Sequence, residues 1–244
     1  MNDRARLAAA FGAAAAYDQH GAIQRAVARE LASRIAALPL AHAPRALDVG
    51  CGTGFLGEAL IPMLPDARWM MSDLAAPMLE RARARLGEAA RYHAMDGEFP
   101  DLDGPFDLVA SSLAFQWFGD LAAAVERYRA RLAPDGWLAF TTLAQGSFAQ
   151  WRAAHGDLPC GVPDYPAPGA LAAMGLAVDI VDLPFTGGGR AFLRHLHGIG
   201  ARLPREGHRP LSPAQLKQVI ARFDEAGGTA TYRVAFCTLR KAAS

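Results

Sequence analysis

The stretch Leu47-Asp48-Val49-Gly50-Cys51-Gly52-Thr53-Gly54-Phe55-Leu56-Gly57 decides how the rest of the chain is read. A short apolar run ends in it and a helix-periodic stretch leaves it, so the glycines fall where a strand turns into a helix. Glycine at alternate positions lets the backbone turn tightly and lie against a ligand at a distance that a Cβ would forbid. Outward from this loop the same beat repeats. Candidate strands at Arg45–Val49, Arg68–Asp73, Arg91–Met95, Phe106–Ser111 and Trp137–Thr142 alternate with helices near Phe55–Met63, Pro77–Leu86 and Leu121–Leu132. Alternation of this kind is the signature of βαβ units and a parallel sheet, hence an α/β fold.

Two ligand readings of the loop stay open at this level. Gly52 to Gly57 satisfies the dinucleotide fingerprint G-x-G-x-x-G, and Asp73 falls where a ribose-binding acid would stand. Against an oxidoreductase of that type, Asp48 puts a carboxylate at the mouth of the loop. A pyrophosphate is repelled there, whereas an ammonium or sulfonium is drawn in. Asp96-Gly97 adds a third acid after the third strand, where a carboxylate and adjacent amides can meet an adenine edge. Any one of Asp48, Asp73 and Asp96 reads equally well as a turn former. Their recurrence at the carboxyl ends of successive strands is where open α/β sheets bind ligands. A Rossmann-like domain without a ligand is a further reading.

The flanks are less regular. Ile23, Val27, Leu31, Ile35 and Leu38 recur at helical spacing from Ala22 to Leu38, and Pro39 and Pro44 end that helix. Residues 143–177 are rich in proline and glycine and read as an irregular insert. A sixth strand at Ala177–Leu183, helices at Arg190–Ile199 and Ser212–Ala226, and a final strand at Thr231–Leu239 follow. The formal net charge of the 244 residues is +1, so no overall field draws the chain to nucleic acid. No apolar run approaches the ~20 residues of a membrane span. The opening residues read as a mature cytoplasmic start rather than a signal peptide. Cys51, Cys160 and Cys237 are odd in number, far apart and without a CxxC pair. They are expected as buried free thiols with neither a disulfide nor a metal site. No Ser/His/Asp or Cys/His constellation is evident.

Asp48 to Gly54, Asp73 and Asp96 resemble the motifs of class I S-adenosylmethionine methyltransferases. A narrower resemblance, to the malonyl-acyl-carrier-protein O-methyltransferases of biotin synthesis, covers nearly the whole chain. It rests on Phe11 to Arg25 with Tyr17 and Gln24, on Ser112-Leu-Ala-Phe-Gln-Trp117, and on Thr141 to Ser147. Leu193 to Ala201 and Thr231 to Phe236 complete it, while residues 148–170 depart from the pattern.

The resemblance implies a Rossmann-like methyltransferase sheet of about seven strands with the last antiparallel, in a single domain spanning 1–244. Residues 1–40 would form a helical cap, and 143–177 and 184–228 inserted segments over the acceptor site. It implies S-adenosylmethionine as cofactor, S-adenosylhomocysteine as product, and no metal. The reaction would be carboxyl O-methylation of a malonyl group on acyl carrier protein; esterification of a small free acid is the alternative within the class. The expected cofactor contacts are Tyr17, Gln24, Asp48, Gly50, Cys51, Gly52, Asp73, Leu74, Met78, Asp96, Gly97, Ser112 and Leu113. Tyr17, Gln116, Trp117 and Arg194 are expected to position the acceptor, with no acid–base residue. Arg194 is chosen from a cluster that includes Arg190, Arg202, Arg205 and Arg209. Arg81, Arg83 and Arg85 are expected either to face the carrier protein or to be solvated.

Overall fold

The structure, a computed structural model, describes residues 3–14, 16–201 and 208–243. Its sheet has seven strands in the order β3-β2-β1-β4-β5-β7-β6. These are β1 (Arg45–Val49), β2 (Arg68–Asp73), β3 (Ala90–Ala94), β4 (Phe106–Ser112), β5 (Leu132–Leu143), β6 (Ala177–Thr186) and β7 (Thr229–Arg240). The pairs β1–β2, β1–β4, β2–β3 and β4–β5 are parallel. Between β5 and β7, Asp135 N donates to Lys241 O while Ala144 N donates to Arg233 O, so rising numbers meet falling ones and β7 runs antiparallel to β5. Seven strands with the last antiparallel are what the family resemblance implied.

Contacts divide the chain into two compact units. One comprises residues 22–142, 168–179 and 235–244. It contains α3 (Ala22–Ala36), α4 (Phe55–Leu60), α5 (Ala76–Leu86), α6 (Leu121–Arg131) and the short α8 (Pro168–Ala172). Ala46, Leu47 and Val49 of β1 and Leu108, Val109 and Ala110 of β4 are completely buried. Continuous burial on both faces is why these strands read as apolar runs rather than alternating ones. Gly57 is a packing residue: a Cβ there would lie 2.8 Å from Leu86 Cδ1 and 2.9 Å from Met71 Cε. The third glycine of the fingerprint therefore seats α4 against β2 and α5, which either ligand reading requires.

The other unit comprises residues 1–21, 143–167 and 180–234. It holds α1 (Asp3–Gly12), α2 (Tyr17–His20), α7 (Ala149–His155), α9 (Gly188–Gly198) and α10 (Pro213–Glu225). An aromatic cluster forms its core. Trp151 of α7 lies edge-on to Phe192 of α9 and Phe223 of α10, with ring centroids 5.4 and 5.2 Å apart, and Phe148 meets Tyr232 at 4.6 Å. Such edge-to-face pairs add specificity to the area they bury. Ser212 and Gln215 make a reciprocal capping box at the start of α10, as the Ser-Pro signal leads one to expect.

Two expectations are corrected. The stretch 143–177 is not wholly irregular, because Ala149-Gln-Trp-Arg-Ala-Ala-His155 forms a helix and Pro168–Ala172 forms another. Helix formers around one apolar anchor, Trp151, outweigh the prolines that follow. Cys160 is not a buried thiol like Cys51 and Cys237 but is partly exposed.

Candidate cofactor site

In the sheet-bearing unit, parallel register brings the acidic strand ends together. Val49 stands opposite Ser72, and Asp73 opposite Ala94, so Asp48, Asp73 and Asp96 follow one another along the carboxyl edge. The loop after β1 takes left-handed φ at Gly50 (66°), Gly52 (55°) and Gly54 (90°). Gly50 is fixed twice over, since a Cβ would come within 2.4 Å of Ala114 Cβ. Cys51 N donates to Ser72 O (2.9 Å) and Gly52 N to Asp73 Oδ2 (2.9 Å), which tie the loop to β2. Asp73 Oδ1 accepts from Ala75 N (2.8 Å). Each oxygen thus keeps a lone pair beyond its backbone bond.

Asp48 differs. Its side chain is completely buried and neither carboxylate oxygen has a hydrogen-bond partner. Burial, reinforced by the nearby Asp73 charge, pushes its pKa up to about 8. A buried carboxylate in this condition is costly unless a cation or donors meet it. Burial also raises the Asp73 carboxyl, against the backbone N–H groups that hold it down. Two more buried acceptors lack partners: Gln24 Oε1 on α3 and Gln116 Oε1. Gln116 belongs to a 3₁₀ turn, Phe115–Trp117, and its Nε2 donates to Leu113 O (2.6 Å). Leu113 has φ 53° and its N–H is taken by Thr141 Oγ1 (2.9 Å), so the turn after β4 is held by the strand beside it.

The other expected contacts fall in the same unit. Met78 is buried and Leu74 half-buried at the start of α5, while Ser112 is half-buried at the end of β4. Asp96 accepts from Glu98 N (3.0 Å) in a turn, and Gly97 leaves no room for a side chain beside Val49 and the Phe118 ring. Trp117 is half-buried. A ligand with a cationic centre, ribose hydroxyls and an adenine edge fits this donor set. The orphaned Asp48 calls for positive charge, Asp73 has acceptor capacity for hydroxyls, and Asp96 with Gly97 presents the carboxylate and amide expected at the third strand.

Two features went unread in the sequence. Arg85, assigned to a carrier-facing or solvated surface, instead donates to Thr53 O (2.6 Å) and Thr53 Oγ1 (3.0 Å) and pairs with Glu58, which Arg25 also holds. It secures the glycine loop from α5. Glu98 is buried and accepts from Gly119 N and Asp120 N, each at 2.8 Å, ordering the chain between the 3₁₀ turn and α6.

Tyr17 and Arg194 belong to the other unit. Tyr17 opens α2 and is half-buried, and Arg194 is exposed on α9, whose buried face carries Gly189, Phe192 and His195. His195 joins the two helices: its Nδ1 donates to His20 O (2.9 Å) and its Nε2 accepts from the Tyr232 hydroxyl (2.6 Å). Gly198 lies so close to the His20 ring that a Cβ would meet it at 2.2 Å, and Gly200 adopts φ 73° against Phe11 and Ala10 O. The block Gly198-Ile-Gly-Ala201 is thereby explained as the seat for α1 and α2. Arg209 is exposed, and Arg202 and Arg205 lie outside the described residues. Among the described residues no group of three or more His, Cys, Asp or Glu is placed to hold a metal ion, and no helix is long and apolar enough to cross a membrane.

Residues 47–138 match a family described as methyltransferase domain. The chain is 49% identical over 243 residues to the biotin biosynthesis bifunctional protein BioCD of Bordetella avium, covering 96% of this chain and 52% of that protein, about half its length. It is 39% identical over 249 residues to the malonyl-acyl-carrier-protein O-methyltransferase of Magnetococcus marinus, covering 96% of this chain and 92% of that one. In fold it is similar to the crystal structure of the YcgJ protein from Bacillus, with a TM-score of 0.63 at 17% identity over 88% of this chain and 99% of that one.

Proposed function

The chain belongs to the malonyl-acyl-carrier-protein O-methyltransferase family, and from that premise we propose that it methylates the free carboxylate of a malonyl group thioesterified to acyl carrier protein, in the cytoplasm. The observation that carries the cofactor half of this reading is the unpartnered, completely buried Asp48 carboxylate beside the glycine loop. When bound, S-adenosylmethionine supplies an electrophilic methyl group on a sulfonium. Asp48 balances the positive charge of the cofactor's amino-acid end, and Asp73 accepts the ribose hydroxyls. Asp96 and the amide after it take the adenine edge, with Leu74 and Met78 as the apolar walls. Gln24 and Tyr17 contact the amino-acid end and the sulfonium side.

The acceptor carboxylate is already ionised at neutral pH, so no side chain has to remove a proton. What the chain contributes is alignment of oxygen, methyl and sulfur, together with exclusion of water from the oxygen. Gln116 and Trp117 position the acceptor, and Arg194 holds the oxygen that does not attack.

Methyl transfer from labelled S-adenosylmethionine, compared across malonyl carrier protein, malonyl-coenzyme A and free diacids, tests the reading. Malonyl carrier protein should give the highest kcat/KM; a faster free diacid would overturn the acceptor. Arg194→Ala should lower kcat/KM for malonyl carrier protein by about tenfold or more, with cofactor affinity unchanged. The effect is smaller than for a buried pair because solvent screens an exposed guanidinium. Wild-type turnover in that variant would remove Arg194 from the role.

A further inference from the structure

Acids line the carboxyl edge of β1, β2 and β3, whereas the amino ends of the same strands carry arginine. β1 opens on Arg45, β2 opens on Arg68, and Arg91 is the second residue of β3. Parallel register sets Arg45 opposite Arg68 and Met70 opposite Arg91. Paired residues share a face and successive ones alternate, so Arg45, Arg68, Met70 and Arg91 lie on one face. Met71 lies on the other, where its side chain packs against Gly57 of α4.

The arginine face lacks a helix that the topology would supply. β1, β2 and β3 step outward with α4 and α5 between them, and β4 then returns to the far side of β1. Reversing direction while keeping right-handed crossovers puts the β3–β4 connection on the face away from α4 and α5. That connection, residues 95–105, contains no helix. A cavity of about 390 Å³ remains, lined by Arg45, Arg68 and Arg91, with Met70 and Leu102 as apolar wall and Glu88 as a carboxylate. Its size is that of a small-molecule site.

The cations in it are not matched from within. The Arg45 guanidinium is fixed, donating to Pro105 O (3.2 Å) and Asp103 O (3.0 Å) while lying 4.6 Å from the centroid of the Phe106 ring. Arg68 and Arg91 are exposed, and among the described residues neither makes a hydrogen bond, ion pair or ring contact. Like charges directly opposite on neighbouring strands disfavour each other, so Arg68 facing Arg45 calls for an anion from outside the chain. A phosphoryl group accepts guanidinium N–H pairs from several sides at once. Met70 and Leu102 give an organic group attached to it a surface to cover.

We propose that this cavity is a binding site for a small organic phosphate, separate from the cofactor site at the other end of the same strands.

Calorimetry on the full chain at low ionic strength, with phenyl phosphate and inorganic phosphate as probes, tests it. Phenyl phosphate should bind saturably at one site, about tenfold more tightly than inorganic phosphate because its ring covers apolar wall. Its affinity should be the same with S-adenosylhomocysteine present. Both free arginines are exposed, so Arg68→Gln and Arg91→Gln should leave the chain folded, as thermal unfolding checks. Each should weaken phenyl phosphate about tenfold through the loss of a charged donor, and the two together should abolish binding. No saturable binding, binding that survives the double substitution, or competition with S-adenosylhomocysteine overturns the site. Inorganic phosphate binding as tightly as phenyl phosphate overturns the organic ligand.

Discussion

Asp48 concentrates the residue-scale physics of the site. Its folded pKa of about 8 lies above the ordinary carboxylate value, so the folded chain keeps a proton that the unfolded chain releases. Folding stability without ligand therefore falls as pH rises from about 4 to about 8. Asp48→Asn removes the titration, and the variant should gain stability over wild type at pH 8, on the order of a few kcal/mol, with little difference at pH 4. Thermal unfolding across that range checks it. The same variant should bind S-adenosylhomocysteine at least about tenfold more weakly in calorimetry, because the carboxylate charge is gone and a donor replaces one of its acceptor oxygens. Equal pH dependence in the two proteins would mean that Asp48 is ionised and partnered in the free chain. Arg85 acts at one remove. Its two bonds to Thr53 tie α5 to the glycine loop. Arg85→Met should preserve the fold and the aliphatic packing while weakening cofactor binding about tenfold, near 1.4 kcal/mol; unchanged affinity would make it a structural cap of α4 alone.

At the scale of elements, α2 and α9 are joined by a contact that admits no extra atoms. Gly198 Cα faces the His20 ring, and His195 reaches the His20 carbonyl from the same side. Gly198→Ala should destabilise the chain by about 1–3 kcal/mol through overpacking. His20→Ala in the same chain should restore part of that loss, and a double-mutant cycle in thermal unfolding measures the coupling. Additive effects would show that the two helices are not packed through this pair. His195 itself is kept neutral. Burial lowers its pKa, outweighing the His20 carbonyl bond that would raise it, so its share of stability is complete above about pH 6.5 and is lost as pH falls further. Glycine in the 198–201 block is thus demanded by neighbouring helices, not by the substrate.

For the molecule as a whole, a ligand that binds only the folded chain raises its stability in proportion to the logarithm of concentration over Kd. S-adenosylhomocysteine at a hundredfold excess over Kd should stabilise by about 2.7 kcal/mol. NADH should give no shift, since the carboxylate at the loop opposes a pyrophosphate. A shift with NADH alone would reverse the choice between the two loop readings. The alternation of strands with helices, the glycine loop and the run of acids along one edge were legible in the sequence. Each depends on a short window: the periodicity of a strand, the glycine a left-handed turn demands, or the acid that follows an apolar run.

The sequence by itself determined the α/β class, the strand–loop–helix and its ligand chemistry, and the blocks that carry the family likeness. Only the tertiary structure decided that Arg85 is a loop fastener, that Glu98 holds the amides before α6 and that Gly198 seats His20. Arg85 and Thr53 are 32 residues apart, and His195 and His20 are 175 apart. No local propensity encodes such partners. They meet because buried faces of separate helices and strands must pack, and a side chain's role is then set by what packing leaves within its reach.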